Sequence, residues 1–578
     1  MCPVGMLTLA AILREHHQAA PQKPAVILQH AGKDDLEISW QRFFEMASSY
    51  ADLYSSRGLQ PGEIVILILE HGEALVDSFF GAILGGQIPA IMPFLTEKLS
   101  VERYRADLAN LISVTNPAAI VTSPEFEPEV RLALSEGGPV RAIITTSEIT
   151  GPSDIYPVGQ NFDRLQGLAS PPETIALLQH SSGTTGLQKG VALSHTAILN
   201  QINAYGAAIH ISKEDVIVSW LPLYHDMGLI AGFLLPLLSG IPLVLMSPFD
   251  WVRAPQRLFQ AVSRYRGTLT WLPNFAYNFC AQKIRDRHME GVDLSSWRAV
   301  INCSEPIRSE SHSLFFEKFR GYGLKSSALQ TCYAMAENVF GVTQSDLDCG
   351  PLVDEIDSRT FFQKHLAVPA QPGEPAMRLV SSGRALVNTE LRILDTRRHP
   401  LPERQIGEVS LRSDSMLSGY YHRSDLTEKA FHSGWYMTGD LGYLLNGELF
   451  VTGRKKDLII VGGKNIYPQD IEALVNQVPG VHSGRAVTFG VFDESQGTEE
   501  VVVVAEIDTE VFAAHEDDPE HKKRLAQEIR QIVATNSAVV LGAVHLVGPK
   551  WLLKTSSGKI ARAANREKYL AEIHTGAV

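Results

Sequence analysis

Short apolar runs with the composition of β-strands recur along the first half of the chain, and amphipathic stretches separate them. One of these stretches, residues 40–56, is helix-like. Alternation of this kind is typical of βα units that build buried, largely parallel sheets. Strands are therefore predicted within six runs, at residues 63–69, 118–123, 142–146, 174–182, 216–222 and 268–273.

The uncharged run from Gly228 to Phe249 is about long enough to span a bilayer. Its three prolines, Pro236, Pro242 and Pro248, would break a spanning helix. We predict helix, turn and buried strand within a large α/β core, and no integral membrane segment. The first residues lack a basic n-region and carry charge by Arg14, which favours an ordinary first helix over a signal peptide.

The pattern changes after about Gly383, where turn signals become denser and short strands at 389–394 and 407–413 indicate a small β-rich module. In the last 120 residues or so, Pro468 suits the first turn of a helix whose apolar stripe begins at Ile471. Strands are expected within 499–507 and 538–547, with a polar helix over 520–537 between them. These segments predict a compact α+β domain.

Composition excludes several classes of protein. The 578 residues allow about three to five domains. The net charge of −13 disfavours non-specific binding to nucleic acid or anionic lipid, so no nucleic-acid partner is expected. The five cysteines are widely spaced without a CxxC pair, which argues against a disulfide framework or zinc cluster and suits the cytoplasm. Cys303 and Cys332 are predicted to be small buried hydrophobes.

The segment "SSGTTGLQKG" at 181–190 combines hydroxyls, glycines and Lys189, a composition that suits an anion-binding turn. It is not a Walker A loop, because Gln188 precedes the lysine and Gly190 follows it. The preceding run, 174–182, places this loop at the carboxyl end of a predicted parallel strand, where ligands bind in such sheets. A surface turn without a ligand is the alternative.

Six segments in order along the chain carry a stronger signal than any one of them. They are "SSGTTGLQKG" at 181–190, "LPLYHDMGL" at 221–229, "NCSEP" at 302–306, "CYAMAE" at 332–337, "WYMTGDLG" at 435–442 with "GRKKD" at 453–457, and "KTSSGKIAR" at 554–562. With these segments the sequence resembles the adenylate-forming superfamily of acyl-CoA synthetases, nonribosomal-peptide adenylation domains and luciferases. The resemblance covers nearly the whole chain.

The resemblance implies a two-step reaction with ATP and Mg²⁺, in which a carboxylate forms acyl-AMP and a thiol then takes the acyl group. It also implies an α/β fold with a large N-terminal domain over residues 1–455. That domain would hold two packed α/β subdomains and the β-rich subdomain, about 384–455. A small mobile α+β domain over 456–578 would carry the catalytic lysine.

The resemblance assigns the site residues. Lys559 matches the lysine that bridges carboxylate and α-phosphate, and Lys456 aligns with the hinge before the C-terminal domain. Glu337, with Thr185, matches the magnesium site, since a hard cation takes carboxylate and phosphate oxygens. The residues implied to hold the nucleotide are Ser181, Ser182, Gly183, Thr184, Thr185, Gly186 and Lys189 at the β,γ-phosphates, Ser304, Glu305, Pro306, Tyr333, Ala334 and Met335 at the adenine, and Asp440 and Arg454 at or near the ribose.

His225 and Asp226 invite a catalytic-dyad interpretation, but adjacent residues rarely face each other. In the family this histidine region borders the acyl site and gates it, so His225 is a candidate for the catalytic and substrate site, with plain packing as the alternative. The residues implied near the acyl group are Tyr224, His225, Asp226, Trp271, Asn274 and Phe275.

Within the superfamily, "LPLYHDMGLI" followed by "PNFAY" resembles fatty acyl-AMP ligases. The connection from Glu337 to Gly383 spans 46 positions, which is longer than the same connection in typical acyl-CoA enzymes. Fatty acyl-AMP ligases carry an insertion in this region, at about 340–380. That insertion is thought to restrain the C-terminal domain and disfavour CoA. The implied substrates are a fatty acid and the phosphopantetheine thiol of an acyl carrier protein.

Near Lys559, Leu553 stands where the family often has proline, a small departure. Two other departures concern the subfamily: the 181–190 loop is closer to the general acyl-CoA form, and Trp271 stands where small residues are usual. A medium- or long-chain fatty acyl-CoA synthetase is therefore the alternative, and the acyl chain length stays open. A catalytically inactive scaffold would show erosion at Lys559, Glu337 or Asp440, and none of them is eroded.

Overall fold

A computed structural model describes residues 7–94, 101–149, 151, 162–180, 189–373, 376–461, 464–493, 498–515, 518–537, 539–555 and 558–574. The α-helices in these ranges are α1 Leu9–Ala19, α2 Trp40–Ser56, α3 Glu73–Gly85, α4 Val101–Thr115, α5 Glu127–Leu132, α6 His195–Ala208, α7 Leu235–Ser239, α8 Pro248–Arg253, α9 Gln256–Tyr265, α10 Asn274–Lys283, α11 Ser309–Phe319, α12 Ser358–Lys364, α13 Ser424–Ala430, α14 Pro468–Val475, α15 Thr509–His515, α16 Pro519–Ser537 and α17 Arg562–His574. A π-helix, Met227–Leu234, precedes α7.

The strands in the described ranges are β1 Pro24–Gln29, β2 Leu36–Ser39, β3 Ile64–Ile68, β4 Ile88–Ile91, β5 Ala119–Thr122, β6 Ala142–Thr145, β7 Ile175–His180, β8 Gly190–Ser194, β9 Ile217–Ser219, β10 Leu243–Met246, β11 Leu269–Leu272, β12 Ala299–Asn302, β13 Leu329–Ala334, β14 Gly341–Gln344, β15 Val353–Asp357, β16 Ala376–Val380, β17 Arg384–Ala385, β18 Thr389–Leu394, β19 Gly407–Ser413, β20 Gly419–Tyr420, β21 Phe431–His432, β22 Trp435–Leu445, β23 Glu448–Arg454, β24 Ile459–Val461, β25 Lys464–Ile466, β26 Val481–Asp493, β27 Thr498–Ile507 and β28 Leu541–Val547. All the strands and helices predicted above are confirmed, with ends shifted by a few residues.

The largest sheet has 14 strands and changes character halfway across. Strands β13, β12, β11, β9, β10 and β1 lie side by side in parallel. From β14 onward, through β17, β23, β22, β19 and β18, neighbouring pairs whose register is defined run antiparallel. The junction between β13 and β14 is therefore the point where parallel βα units meet the predicted β-rich module.

A second parallel sheet, β4-β3-β5-β6, gives the N-terminal half its other α/β layer. Beyond residue 456, strands β26, β27 and β28 form a separate three-stranded sheet against α14 and α16, with its own apolar core around Ile471, Val475 and Ile529. The fold class is α/β as predicted, and the last region is α+β. The domain boundary at 455/456 stays a prediction.

One topological expectation was wrong. Strand β7 does not belong to a parallel sheet; it pairs antiparallel with β8, from Ile175 opposite Ser194 to His180 opposite Gly190, and β20 completes this small sheet. In the described residues, the strand that comes after β7 in the chain is thus its antiparallel neighbour and not a parallel one. An apolar run alone predicts a strand, but the pairing partner depends on what the following segment does.

The prolines divide the uncharged run from Gly228 to Phe249 as predicted, into helical turns, β10 and the start of α8. Among the described residues no helix is both long and apolar enough for a membrane crossing. Cys280, Cys303, Cys332 and Cys349 are free thiols, and the first three are buried, as predicted for Cys303 and Cys332.

Replacing His71 with glutamine is expected to reduce the acid sensitivity of the fold. His71 is buried, its Nε2 donates to the carbonyl of Leu221 at 3.1 Å, and burial lowers its pKa to about 4. As pH falls from the ordinary value of 6.5 toward 4, the unfolded chain binds a proton that the folded chain excludes, so stability is lost.

Thermal midpoints at about pH 7.5 and about pH 5, on either side of the ordinary histidine pKa, measure this effect. The wild-type midpoint should fall a few degrees further than that of His71→Gln, a shift of the size expected for a large chain. Equal falls would show that His71 does not carry the effect.

Candidate active site

The carboxyl ends of four parallel strands meet on one edge of the large sheet, and most residues singled out from the sequence follow these ends. Tyr224–Asp226 follow β9, Asn274 and Phe275 follow β11, and Ser304–Pro306 follow β12. Tyr333 is the second-to-last residue of β13, and Glu337 lies four residues after it. Ligands in open α/β sheets bind at such an edge, so this is where we expect the site.

Lys559 reaches this edge from the far end of the chain. Its Nζ donates a hydrogen bond of 2.6 Å to the carbonyl oxygen of Ser304, across 255 positions of sequence. A tight loop presents the lysine: the amide of Thr555 donates to the carbonyl of Lys559 at 2.7 Å, and Gly558 adopts φ +83°, where glycine is unstrained. The C-terminal region thus supplies a cation beside "NCSEP".

His225 and Asp226 are half-buried next to this lysine. Burial, with a contribution from the Lys559 ammonium, lowers the pKa of His225 to about 3. Burial raises the pKa of Asp226, and the Lys559 charge opposes that rise. His225 is therefore a neutral imidazole at neutral pH, and among the described residues its Nε2 has no hydrogen-bond partner. A neutral ring keeps one N–H donor and can line or gate a substrate site, but it lacks the additional proton of the imidazolium ion.

The turn that carries these two residues leads straight into the π-helix. The carboxylate of Asp226 accepts the amide of Met227 at 2.9 Å. Gly228 lies so close to the preceding turn that a Cβ would stand 2.1 Å from the carbonyl oxygen of Pro222. π-Helical turns are rare and are frequently found at functional sites. The helix here fixes the orientation of His225 and Asp226 and rules out a larger side chain at 228.

Asp440 lies on β22, in the antiparallel half of the sheet, and its side chain contacts Tyr333 of the parallel half. It lies directly opposite Arg454 in the β22–β23 pair, and the Nε of Arg454 is 3.0 Å from its Oδ1. The hydroxyl of Tyr333 donates to Oδ2 at 2.6 Å. A buried carboxylate held on both oxygens keeps a fixed orientation and retains lone pairs for further donors, such as ribose hydroxyls.

Glu337 faces a cavity of about 480 Å³ whose lining also includes four cationic residues and two further acidic ones: Lys189, Arg398, Lys429, Lys455, Asp395 and Glu408. Its Oε1 accepts a hydrogen bond from the hydroxyl of Tyr420 at 2.8 Å. A carboxylate among several cationic side chains suits a polyphosphate with a hard cation, because Mg²⁺ takes carboxylate and phosphate oxygens together. The residues present therefore fit a magnesium–nucleotide complex.

A strained turn holds Glu337 in place. Val339 has φ +60° and ψ −56°, and the amide of Phe340 donates to the carbonyl of Asn338 at 2.6 Å. These values describe a γ-turn with positive φ, a rare conformation that is an outlier for a β-branched residue. Val339 is completely buried and Asn338 donates to Gly341, so the surrounding core enforces the turn.

The remaining candidate residues from the sequence form hydrogen bonds with other residues of the protein. The amide of Phe275 donates to Glu305 at 2.9 Å, and Asn274 accepts from Asn302 at 3.0 Å. Trp271 is 1% exposed within the core, and its Nε1 donates to the hydroxyl of Tyr205 at 2.8 Å. A role for these residues toward an acyl chain stays a prediction, as do the adenine contacts of Pro306, Ala334 and Met335.

The predicted phosphate-loop residues and the predicted hinge residue differ in whether the structure describes them. Ser181, Ser182, Gly183, Thr184, Thr185 and Gly186 lie outside the described residues. Lys456 lies within them, on a single helical turn, Lys455–Asp457, between β23 and β24. Burial lowers the pKa of Lys456, with the Arg454 charge as a second cause. Its position between the two regions is compatible with a hinge, which stays a prediction.

The segment between β14 and β17 packs against both regions of the chain. Strands β15 and β16 form an antiparallel pair, and with α12 they supply Phe361 and other side chains to a small apolar cluster. Tyr443 and Phe450 of the β-rich module join this cluster, and so does Tyr467 from beyond residue 456. The rings of Phe361 and Tyr467 are 5.5 Å apart. Strand β14, Gly341–Gln344, pairs with β13 within the large sheet, and an insertion over about 340–380 stays a prediction.

Sequence reasoning missed two tyrosines in the site. The hydroxyl of Tyr420 contacts Glu337 and lies 3.0 Å from the hydroxyl of Tyr436. Both belong to segments that read as ordinary β-strand, "SGYY" and "GWYM". The only available signal was that "GWYM" runs into the "TGD" motif that contains Asp440.

The family model for AMP-binding enzymes matches residues 13–421. JamA, a medium-chain-fatty-acid–[acyl-carrier-protein] ligase of Moorena producens, is 30% identical over 576 residues, 96% of this chain and 94% of JamA. FadD26, a long-chain-fatty-acid–AMP ligase of Mycobacterium marinum, is 27% identical over 99% of this chain and 98% of its own. A chain solved in structural and functional studies of fatty acyl-adenylate ligases from E. coli and L. pneumophila has a TM-score of 0.87, at 28% identity and 99% coverage of both chains.

Proposed function

Because this chain belongs to the AMP-binding enzyme family, we propose that it activates a fatty acid as acyl-AMP and transfers the acyl group to the phosphopantetheine thiol of an acyl carrier protein. In the first step a carboxylate oxygen bonds to the α-phosphorus of ATP, and pyrophosphate leaves. In the second step the thiol sulfur bonds to the acyl carbon, AMP leaves, and the thiol proton is released.

The observation that carries this proposal is the position of Lys559 at the carboxyl ends of the parallel strands, in contact with Ser304. A flexible primary ammonium there can contact both the fatty-acid carboxylate and the α-phosphate, and its attraction increases as negative charge develops on phosphorus oxygens. Asp440 would accept hydrogen bonds from the ribose hydroxyls, while Arg454 and Tyr333 hold the orientation of its carboxylate. Lys189 would neutralise the β,γ-phosphates.

Glu337 would hold Mg²⁺, together with Thr185 from outside the described residues. The bound ion would supply charge neutralisation at the phosphates. The protein's own contribution is to keep the carboxylate fixed at the cavity wall through the turn at Val339 and the hydroxyl of Tyr420. Catalysis of phosphoryl and nucleotidyl transfer rests mainly on such positioning and electrostatics.

Fatty acid as the substrate class is supported by the relatives, whose names specify medium-chain and long-chain fatty acids. Carrier protein as the acceptor is supported by JamA and by the packing of the insertion against Tyr467. That packing would restrain the C-terminal region in the arrangement in which Lys559 contacts Ser304, and so disfavour the rearrangement that CoA would require.

Mass spectrometry of the products tests the proposal. The protein is incubated with ATP, Mg²⁺ and fatty acids of graded length, with either CoA or a panel of holo-carrier proteins. Acyl-carrier product, with acyl-AMP but little acyl-CoA in the CoA reactions, would support it. Rapid acyl-CoA formation would instead establish the acyl-CoA synthetase alternative, and absence of ATP–pyrophosphate exchange would establish the inactive scaffold.

Truncating Phe361 to alanine is expected to raise acyl-CoA formation several-fold while leaving the carrier product nearly unchanged. Removing a buried phenylalanine side chain costs about 3–5 kcal/mol of local packing, and Phe361 joins the insertion to Tyr467. Liquid chromatography of the CoA reactions measures the change. The matched control is Leu352→Ala, because Leu352 lies beside the same hairpin but is 42% exposed. An unchanged acyl-CoA yield in Phe361→Ala would contradict a restraining role for the insertion.

A further inference from the structure

Tyr420 contacts two of the charged residues that line the cavity in front of Glu337, namely Glu337 itself and Lys189. Its hydroxyl donates to Oε1 of Glu337 at 2.8 Å and lies 3.0 Å from the hydroxyl of Tyr436. The Nζ of Lys189 lies 4.7 Å from the centroid of its ring. The side chain is only 5% exposed, so its position is set by packing rather than by solvent.

The backbone around Tyr420 is attached to the segments of both charged residues. Strand β20 pairs with β8, which begins immediately after Lys189, and the amide of Tyr421 donates to the carbonyl of Gly190 at 2.7 Å. On the other side, the amide of Leu417 donates to the main-chain carbonyl of Glu337 at 2.8 Å. Residues 417–421 therefore fix the distance between the Lys189 and Glu337 segments before any ligand arrives.

The two contacts of the side chain act on opposite charges. A carboxylate is an acceptor only, so the phenolic hydroxyl orients it by donating to one oxygen. The ring face attracts an ammonium ion through its quadrupole. Among the described residues, Lys189 forms no ion pair with a carboxylate, although it lines the same cavity as Glu337, where opposite charges attract each other.

We propose that Tyr420 is a positioning residue that keeps Lys189 and Glu337 apart, so that phosphate engages the ammonium while the metal ion engages the carboxylate. In a direct Lys189–Glu337 ion pair, each side chain would neutralise the charge of the other. Binding of phosphate by Lys189 and of the metal ion by Glu337 would then both be weaker. The inference rests on the proposed function for its ligand, Mg²⁺·ATP. It concerns only how this chain's own side chains are held.

Two substitutions separate the two contacts. Tyr420→Phe keeps the ring under Lys189 and removes the hydroxyl from Glu337, whereas Tyr420→Leu removes both. Tyr421→Phe is the matched control, because Tyr421 neighbours Tyr420 but packs into a different apolar cluster. Isothermal titration calorimetry measures the affinity of the full chain for ATP at a series of Mg²⁺ concentrations, and this measurement does not depend on turnover. Acyl-AMP formation is measured in parallel.

In Tyr420→Phe, the Mg²⁺ concentration for half-maximal ATP binding should rise about tenfold, the effect of losing one hydrogen bond to a charged group. ATP affinity at saturating Mg²⁺ should change little. In Tyr420→Leu, ATP affinity should fall as well, by about tenfold for the lost cation–π contact and the new ion pair. Tyr421→Phe should match the wild-type protein, and all variants should keep the wild-type thermal midpoint within a few degrees.

Unchanged Mg²⁺ dependence in Tyr420→Phe would overturn the proposal, and so would equal behaviour of the Phe and Leu variants. If the wild-type protein binds Mg²⁺·ATP but forms no acyl-AMP, the proposed function fails while the binding titrations still decide the role of Tyr420. If the wild-type protein binds no Mg²⁺·ATP, both are overturned.

Discussion

Lys559→Ala is expected to lower the rate of acyl-AMP formation by about 10²- to 10³-fold, the usual effect of removing one group that stabilises developing charge. The Nζ of Lys559 is already placed at the strand ends, 2.6 Å from the carbonyl oxygen of Ser304, so the loss is one of charge rather than of folding. ATP–pyrophosphate exchange measures this half-reaction. Transfer from chemically supplied acyl-AMP to the thiol should be spared, since no charge then builds on the α-phosphate from an attacking carboxylate.

Lys523→Ala is the control for this experiment, because Lys523 is an exposed lysine on α16 in the same C-terminal region. It should leave both half-reactions unchanged. The assignment of Lys559 is wrong if Lys559→Ala keeps full exchange activity. Loss of both half-reactions together would indicate a defect in the whole C-terminal region instead.

Glu337→Gln is expected to reduce exchange activity about 10²-fold and to raise the Mg²⁺ requirement. The amide keeps the size of the side chain and an oxygen that Tyr420 can contact, but it removes the negative charge that a hard cation requires. A titration of exchange activity against Mg²⁺ at fixed ATP separates weaker metal binding from a general loss. A high Mg²⁺ concentration should restore part of the activity.

The matched control is Glu355→Gln, an exposed carboxylate on β15, and it should behave as the wild-type protein. A Glu337→Gln protein whose Mg²⁺ dependence equals that of the wild type would remove Glu337 from the metal site. The magnesium ligand would then have to lie elsewhere in the cavity that Lys189 and Lys455 line.

Local structure could be predicted from the sequence because its signals are local. The run at 63–69 contains β3, Ile64–Ile68, and the stretch 40–56 coincides with α2. The pairing of β7 could not be predicted, since a strand's neighbour is not encoded in its own apolar pattern. The π-helix after Asp226 was expected only as helix, because α- and π-turns share the same apolar composition.

The residues of the site likewise fall into those that could be predicted from the sequence and those that could not. Residues within recognisable motifs, such as Lys559, Asp440 and Glu337, could be singled out, and the structure brings their segments to one edge of the sheet. Tyr420 could not, because the hydroxyl that contacts Glu337 comes from 83 positions further along the chain. A tyrosine in a β-strand is most often a packing residue, so only the three-dimensional neighbourhood reveals the contact.

The γ-turn at Val339 has a consequence for the timing of metal capture. Backbone strain of this kind costs on the order of 1–3 kcal/mol, and the buried core around Val339 and Phe340 absorbs it when the chain folds. The Glu337 carboxylate is then already ordered in every cycle, so this turn does not have to be immobilised on each encounter with Mg²⁺·ATP. Metal-nucleotide capture should accordingly show no kinetic phase that arises from isomerisation of the Glu337 turn.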